Sequence, residues 1–556
     1  MRLDATRYLA SLTALAALLL PGARAARAQQ SASSLEIAAD PILRAMQAEL
    51  DRSKTKLKMD NIAAPYYIEY RVTDVDQFQA SAEYGALRDQ ARVHLRLFHV
   101  VVRIGDYKQD SYFGAGQGEP DFLSIDNEEM ALRHQMWLAT DAAYKRAGEA
   151  LAAKLSMLKQ LNVEEPVDDF ARARPTVAIE PLVNLSFDPA TWIGTLESIT
   201  SVYRSDPDIQ SMGASLNFAA VNQYFINTEG TVTRHGETQY SLSFDASEQA
   251  ADGMRLDRSP VYTAARIEDL PAAQKIQADA AHLVEIMKQL RAAPIVDEEY
   301  RGPVLFSSDA ADDMFSDLIA VNVVGRRPQP GRPARTTGAF ATSFKSRVLP
   351  DFFSVVDDPT QPTFDKQGLS GYYRVDDEGV PAAAVTVVDK GELVNFLVGR
   401  QPIRDFPASN GHGRASGSGV AMPALGNLFI RASKTRERAD LIKQMLDICR
   451  ERGLDYGYFV DTLGPRLTPR VLYRVWAKDG REEMVRGAVF NELDTRALRN
   501  DLIAAGDDPL VSNRIGVPFS AIISPSVLFD ELEVKRADAS REKLPEYPAP
   551  PLATKK

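Results

Sequence analysis

Apolar residues recur at two different spacings along this chain, and each spacing predicts its own kind of element. From residue 128 to residue 161 they fall every three or four positions: Leu132, Met136, Ala139, Ala143, Ala147, Leu151, Leu155 and Leu158. That spacing predicts one long helix with a single apolar stripe, whose alanines let another element approach closely. Asp126 with Glu129 three residues later predicts a capping box at its start. The same spacing predicts helices over 42–57, within 185–203, and over 270–290, 439–449 and 495–504. Elsewhere the pattern alternates, or runs together in Val, Ile, Tyr and Phe. Residues 65–72, 91–104, 211–220, 222–226 and 232–244 read as strands on that basis, with 80–87 in the same meander. An Asn-Thr-Glu-Gly turn at 227–230 separates two of them. Further strands are predicted around 472–476, 482–490 and 520–523.

Strands and helices mix without a regular βαβ alternation, which predicts an α+β protein. The reading is an N-terminal domain over 36–292 with a mixed sheet and long helices, then a C-terminal domain over 300–536 dominated by antiparallel β structure. Arg-Pro-Gln-Pro-Gly-Arg-Pro-Ala-Arg at 327–335 excludes regular structure and predicts an exposed loop. Residues 537–556 are rich in Pro and charge and read as a disordered tail.

A net charge of -11 and a pI near 5.3 argue against a nucleic-acid partner, because phosphate binding wants a basic face. Residues 1–28 read as a cleaved signal peptide: Arg2 and Arg7, an apolar run over 9–20, then Pro21-Gly22 and Ala26-Arg27-Ala28. The run is too short for a comfortable membrane span. The mature protein is expected to be periplasmic or secreted, with no membrane span. Cys449 is the only cysteine, so no internal disulfide forms, and its place on a helical stripe makes it a small buried hydrophobe.

Histidines are sparse. His94 and His99 fall on opposite faces of a strand, and His134, His235 and His282 stand alone. His412 sits in a glycine-dense loop, Asn410-Gly-His-Gly-Arg414, where glycine permits close backbone approach and Arg414 could hold a peptide carboxylate. Asp376-Asp377-Glu378-Gly379 reads as a solvated hairpin tip, since Asp and Gly form turns; paired carboxylates can also do acid/base work.

In wording and order, several stretches resemble the TldD/PmbA family of predicted metallopeptidases. They are Tyr224-Phe-Ile-Asn-Thr-Glu-Gly230, Gly302-Pro-Val-Leu-Phe306, the turn-rich stretch 371–430, Asp479-Gly480 with Val485-Arg486-Gly487, and 527–533. The resemblance implies a metal held by a His-Glu-x-x-x-His helix and a later cysteine. Here the corresponding segment, 311–326, has Asp312, Asp313 and Asp317 but no histidine, and 508–517 has no cysteine. Carboxylates alone make a poor zinc site, so no cofactor is expected. The family's PmbA branch also lacks these ligands and pairs with a metal-bearing TldD partner. The resemblance therefore implies a non-catalytic subunit of a heteromeric peptidase acting on unstructured peptides, partnered by a metal-bearing TldD-like paralogue or by a second copy of itself in a homodimer. It places Asn410, Gly411, His412 and Arg414 near a peptide cleft. A free-standing peptide-binding protein, or a hydrolase using non-metal chemistry around His412, is the alternative.

Overall fold

The structure is a computed structural model that describes residues 35–112, 121–162, 167–332, 334–415, 419–516, 518–538, 542–545 and 550. The expected signal peptide and most of the expected tail lie outside these residues.

Four long strands build the N-terminal sheet: β1 (Pro65–Glu83), β2 (Ala86–Ile104), β3 (Ser211–Asn227) and β4 (Val232–Gln249), antiparallel in the order β2-β1-β3-β4. Val177–Ile179 adds to β4 in parallel, so the sheet is mixed. The strands run through the breaks expected after residues 72 and 220. Polar residues there are tolerated because β1 is hydrogen-bonded on both sides, and Asp74 and Asp76 meet Arg96 and Arg92 of β2 in two-pronged pairs at 2.7–2.9 Å.

Side chains alternate across the sheet. Even-numbered positions of β1 face four helices: α1 (Pro41–Lys56) and α2 (Glu129–Leu161) cover Ile68, Tyr70 and Val72, while α3 (Pro189–Thr200) and α4 (Ala273–Ala292) cover Phe78, Ala80 and Ala82. The Asp74 and Asp76 ion pairs interrupt that face and separate the two cores. Asp40 caps α1, accepting from the amides of Ile42 and Leu43. The cap of α2 is Glu128, accepting from Ala131, and not the expected Asp126: the helix begins at Glu129, which leaves Asp126 two residues outside the capping position.

Odd-numbered positions of β1 are a different matter. Tyr67, Glu69, Arg71 and Thr73 are polar and yet buried. They face the C-terminal half.

That half holds a six-stranded and a seven-stranded sheet, mostly antiparallel with two parallel pairs, around one large core. The protein is thus α+β. Two features position the site. Strand Tyr300–Phe306 leads directly into the helix α5 (Ser308–Phe315), continued by a π turn over Ser316–Ala320. Strand Leu510–Arg514 is the last in its sheet, paired on one side only. The helix expected over 495–504 stops at Asn500, because Leu502–Ala505 is taken as a strand against Val527–Arg536. Cys449, on the helix Arg438–Arg452, is fully buried, and burial pushes its thiol up to about 11.

Candidate functional site

Two polar centres lie between the halves of the molecule. The first is closed. The turn at Asp376-Asp377-Glu378-Gly379 is not the solvated tip its composition suggests: the three acids are 1%, 2% and 7% exposed. The N-terminal sheet covers it, and Gly379, at φ +82, lies so close to Thr231 that a Cβ would come within 2.6 Å of its methyl. Acidic turns form at surfaces because water solvates them; here backbone amides and arginines do so instead.

Asp376 accepts from the amides of Glu378, Val380 and Gly413 at 2.8–3.0 Å. Asp377 accepts from Ala415 N at 2.7 Å and Arg414 Nε at 3.1 Å, while Arg71 of β1 donates to its carbonyl at 2.7 Å. Arg414 also donates to Glu237 of β4 at 3.0 Å and stacks over Tyr373 at 4.1 Å. Arg400 bonds Glu229 at 2.8 Å and stacks over Phe170 at 4.0 Å. Burial would raise Asp377, but the Arg414, His235 and Arg71 charges outweigh it and hold its carboxyl below the usual range. For Asp376 and Glu378 burial prevails, over backbone hydrogen bonds at Asp376 and over the Arg400 charge at Glu378, and holds both above it. His235 is drawn downward by burial and upward by Glu237 and Asp377, which prevail.

All four candidate loop residues stand at this junction, and each is committed inward. His412 is fully buried, with Nε2 3.1 Å from Asp357 and Nδ1 3.1 Å from the Asn410 carbonyl. Asn410 bonds the backbone of Val398 and Phe396. Gly411, at φ +82, accepts from Tyr373 Oη at 2.9 Å and has no room for a Cβ beside Pro381. Arg414 already has two carboxylates.

The second centre is open. A cavity of about 840 Å³ lies between Arg258–Thr263 of the N-terminal half and α5, the 462–470 segment and the edge strand Leu510–Arg514. Ser307 caps α5, its hydroxyl accepting from Ala310 N at 3.0 Å. Asp309, Asp313 and Asp317 recur every four residues and line the cavity. Asp312 turns inward, 3% exposed. Arg514 spans the gap: it donates to Asp313 at 3.1 Å, to the Asp312 carboxylate, and to the Asp312 carbonyl at 3.1 Å. Burial nevertheless pushes Asp312 up to about 7 and Asp309, which still meets solvent in the cavity, up to about 6. Reading 508–517 only for a cysteine missed Arg514. The signal was a cation at the end of a strand opposite a helix with aspartates every four residues.

These shifts fix a pH dependence. Asp312 binds its proton more tightly folded than unfolded. Its contribution is therefore complete below the usual carboxylate range and is lost as pH rises through about 7. Chemical unfolding between pH 4 and pH 8 should show wild type losing stability relative to Asp312→Asn by up to about 1.4 kcal/mol per pH unit. A constant difference would refute it.

Residues 299–536 match the PmbA/TldA metallopeptidase C-terminal domain. That domain belongs to the TldD/PmbA family. A metalloprotease of Archaeoglobus fulgidus is 28% identical over 172 residues, covering 29% of this chain and 37% of that relative. The match thus spans well under half the relative's length. A putative modulator of DNA gyrase from Thermotoga maritima superposes with a TM-score of 0.59 at 16% identity, covering 88% of this chain and 99% of the other. TldE from Thermococcus kodakarensis does so at 0.58 and 14%, covering 88% and 99%. At these identities the likeness is one of fold.

A TldD/PmbA-type C-terminal domain raises the question of a metal on α5. The residues present do not fit one. Among the described residues no cluster of three or more His, Cys, Asp or Glu side chains is arranged to hold an ion. The α5 carboxylates have no imidazole or thiolate beside them, and a guanidinium sits on two of them.

Proposed function

We propose that this chain is an exported, non-catalytic TldD/PmbA-family subunit that binds unstructured peptides in the cleft between its halves and works beside a metal-bearing TldD-like paralogue. The observation that carries the reading is the Arg514 guanidinium bonded to Asp312 and Asp313, on the helix where the family resemblance would put the metal ligands. A tethered cation neutralises those carboxylates but activates no water. Peptide binding is supported by two strands that pair on one side only and line the cleft, Val261–Ala264 and Leu510–Arg514. Such edges accept an extended chain through backbone hydrogen bonds. Export rests on residues 1–28, and the N-terminus of the mature protein tests it. Among the described residues no helix is long and apolar enough to cross a membrane.

The test is metal content by mass spectrometry, with peptide cleavage assayed alone and with co-purifying chains. We expect less than stoichiometric metal and no cleavage by this chain alone, and cleavage once a metal-bearing relative is added. Stoichiometric zinc held by this polypeptide on its own would overturn the reading. Peptide binding without cleavage in any mixture would leave a free-standing binding protein.

A further inference from the structure

We propose that Arg258 anchors a carboxylate of the peptide that occupies the cleft. The inference rests on the peptide reading above and adds a recognition element to it.

Arg258 closes the short strand Arg255–Arg258, which pairs with β4, and it lines the cavity. The cavity has two other lining arginines, and both are neutralised: Arg470 by Asp257, and Arg514 by Asp312 and Asp313. Arg258 is not. It is 8% exposed, its Nη1 donates to the Thr462 hydroxyl, and its Nε has no partner. Among the described residues no carboxylate lies within ion-pair distance of it; Asp461 and Asp309 act on it only from farther away.

A buried guanidinium with no directly paired carboxylate is an unfavourable arrangement, tolerated where an incoming anion completes it. Its planar fork matches a carboxylate in a two-pronged pair. Asp313 and Asp317, which also line the cavity, repel the same group. The cleft is therefore polarised, and a carboxylate is drawn to the Arg258 end. The group could be the peptide's own C-terminus or an acidic side chain near it.

The test uses the full mature chain and three ten-residue unstructured peptides that carry a fluorophore at the N-terminus. One has a free C-terminus and no charged side chain, one is its amide, and one is the amide with a single Glu at the last position. We expect at least one carboxylate-bearing peptide to bind about tenfold more tightly than the plain amide; which one identifies the source of the carboxylate. Arg258→Gln should abolish the preference and leave the affinity of the plain amide unchanged. Arg258→Lys, which keeps the charge and loses the fork, should retain part of it and serves if the glutamine variant does not fold. Equal binding of all three peptides by wild type, or a preference that survives Arg258→Gln, overturns this inference and leaves peptide binding standing. No binding by any of them overturns the peptide reading and this inference together.

Discussion

Arg414→Ala is expected to lower the unfolding free energy by about 3–5 kcal/mol at neutral pH, the range for removing one partner of a buried ion pair. The guanidinium is the shared partner of Asp377, in the C-terminal half, and Glu237, in the N-terminal sheet. Without it both carboxylates remain in the closed junction, and Tyr373 loses the cation stacked on its ring. Arg414→Lys should recover little, because one ammonium cannot reproduce a fork that bonds two acids and stacks. The sign with pH follows from Asp377, whose carboxyl is held low. Its contribution is present above the usual carboxylate range and is lost as pH falls through its depressed value. Urea unfolding should therefore show the mutational loss shrinking in strong acid. A loss within about 0.5 kcal/mol, typical of a surface substitution, would show that this arginine does not hold the halves together.

Arg514→Ala should cost a comparable amount, about 3–5 kcal/mol, with a pH dependence of the same sign but in a higher pH window. The arginine is the cation bonded to Asp312 and Asp313, and Asp309 and Asp317 lie on the same helical run. When it is removed, these acids can relieve their repulsion only by binding protons. Asp312 and Asp309 already stand at about 7 and about 6 with the arginine present, and its loss moves them higher. The destabilisation should be small near pH 5 and largest near pH 8, as read by the urea midpoint across that range. A pH-independent loss would mean that Arg514 acts through packing alone. Arg258→Gln offers a contrast in the same cleft: among the described residues it removes a guanidinium with no directly paired carboxylate.

Much of the framework could be read from residue order. Helices α1, α2 and α4 follow stripes such as Leu132-Met136-Ala143, and β2, β3 and β4 follow runs of β-branched and aromatic residues. What went unread sits where a local rule yields to a distant partner. Asp74 and Asp76 looked like a break in β1 and instead pair with Arg96 and Arg92. Asp376–Gly379 has the composition of an exposed turn and is buried beneath Thr231 and Arg71.

By itself the amino-acid order determined the α+β class, the long helices, the family resemblance and the lack of imidazole or thiolate on the helix after Phe306. Those properties depend on residues within a few positions of one another, or on which side chains exist at all. Only the tertiary structure decided that His412 and Arg414 turn inward, that Arg514 reaches Asp312 and Asp313, and that Arg258 is left, among the described residues, without a directly paired carboxylate. Each of these depends on which groups meet across long stretches of chain, as for His412 with Asp357, 55 positions apart, Arg414 with Glu237, 177 apart, and Arg514 with Asp312, 202 apart. Local periodicity carries no record of such meetings, because an arginine on a strand obeys the same spacing whether it faces water, an acid or an empty cleft.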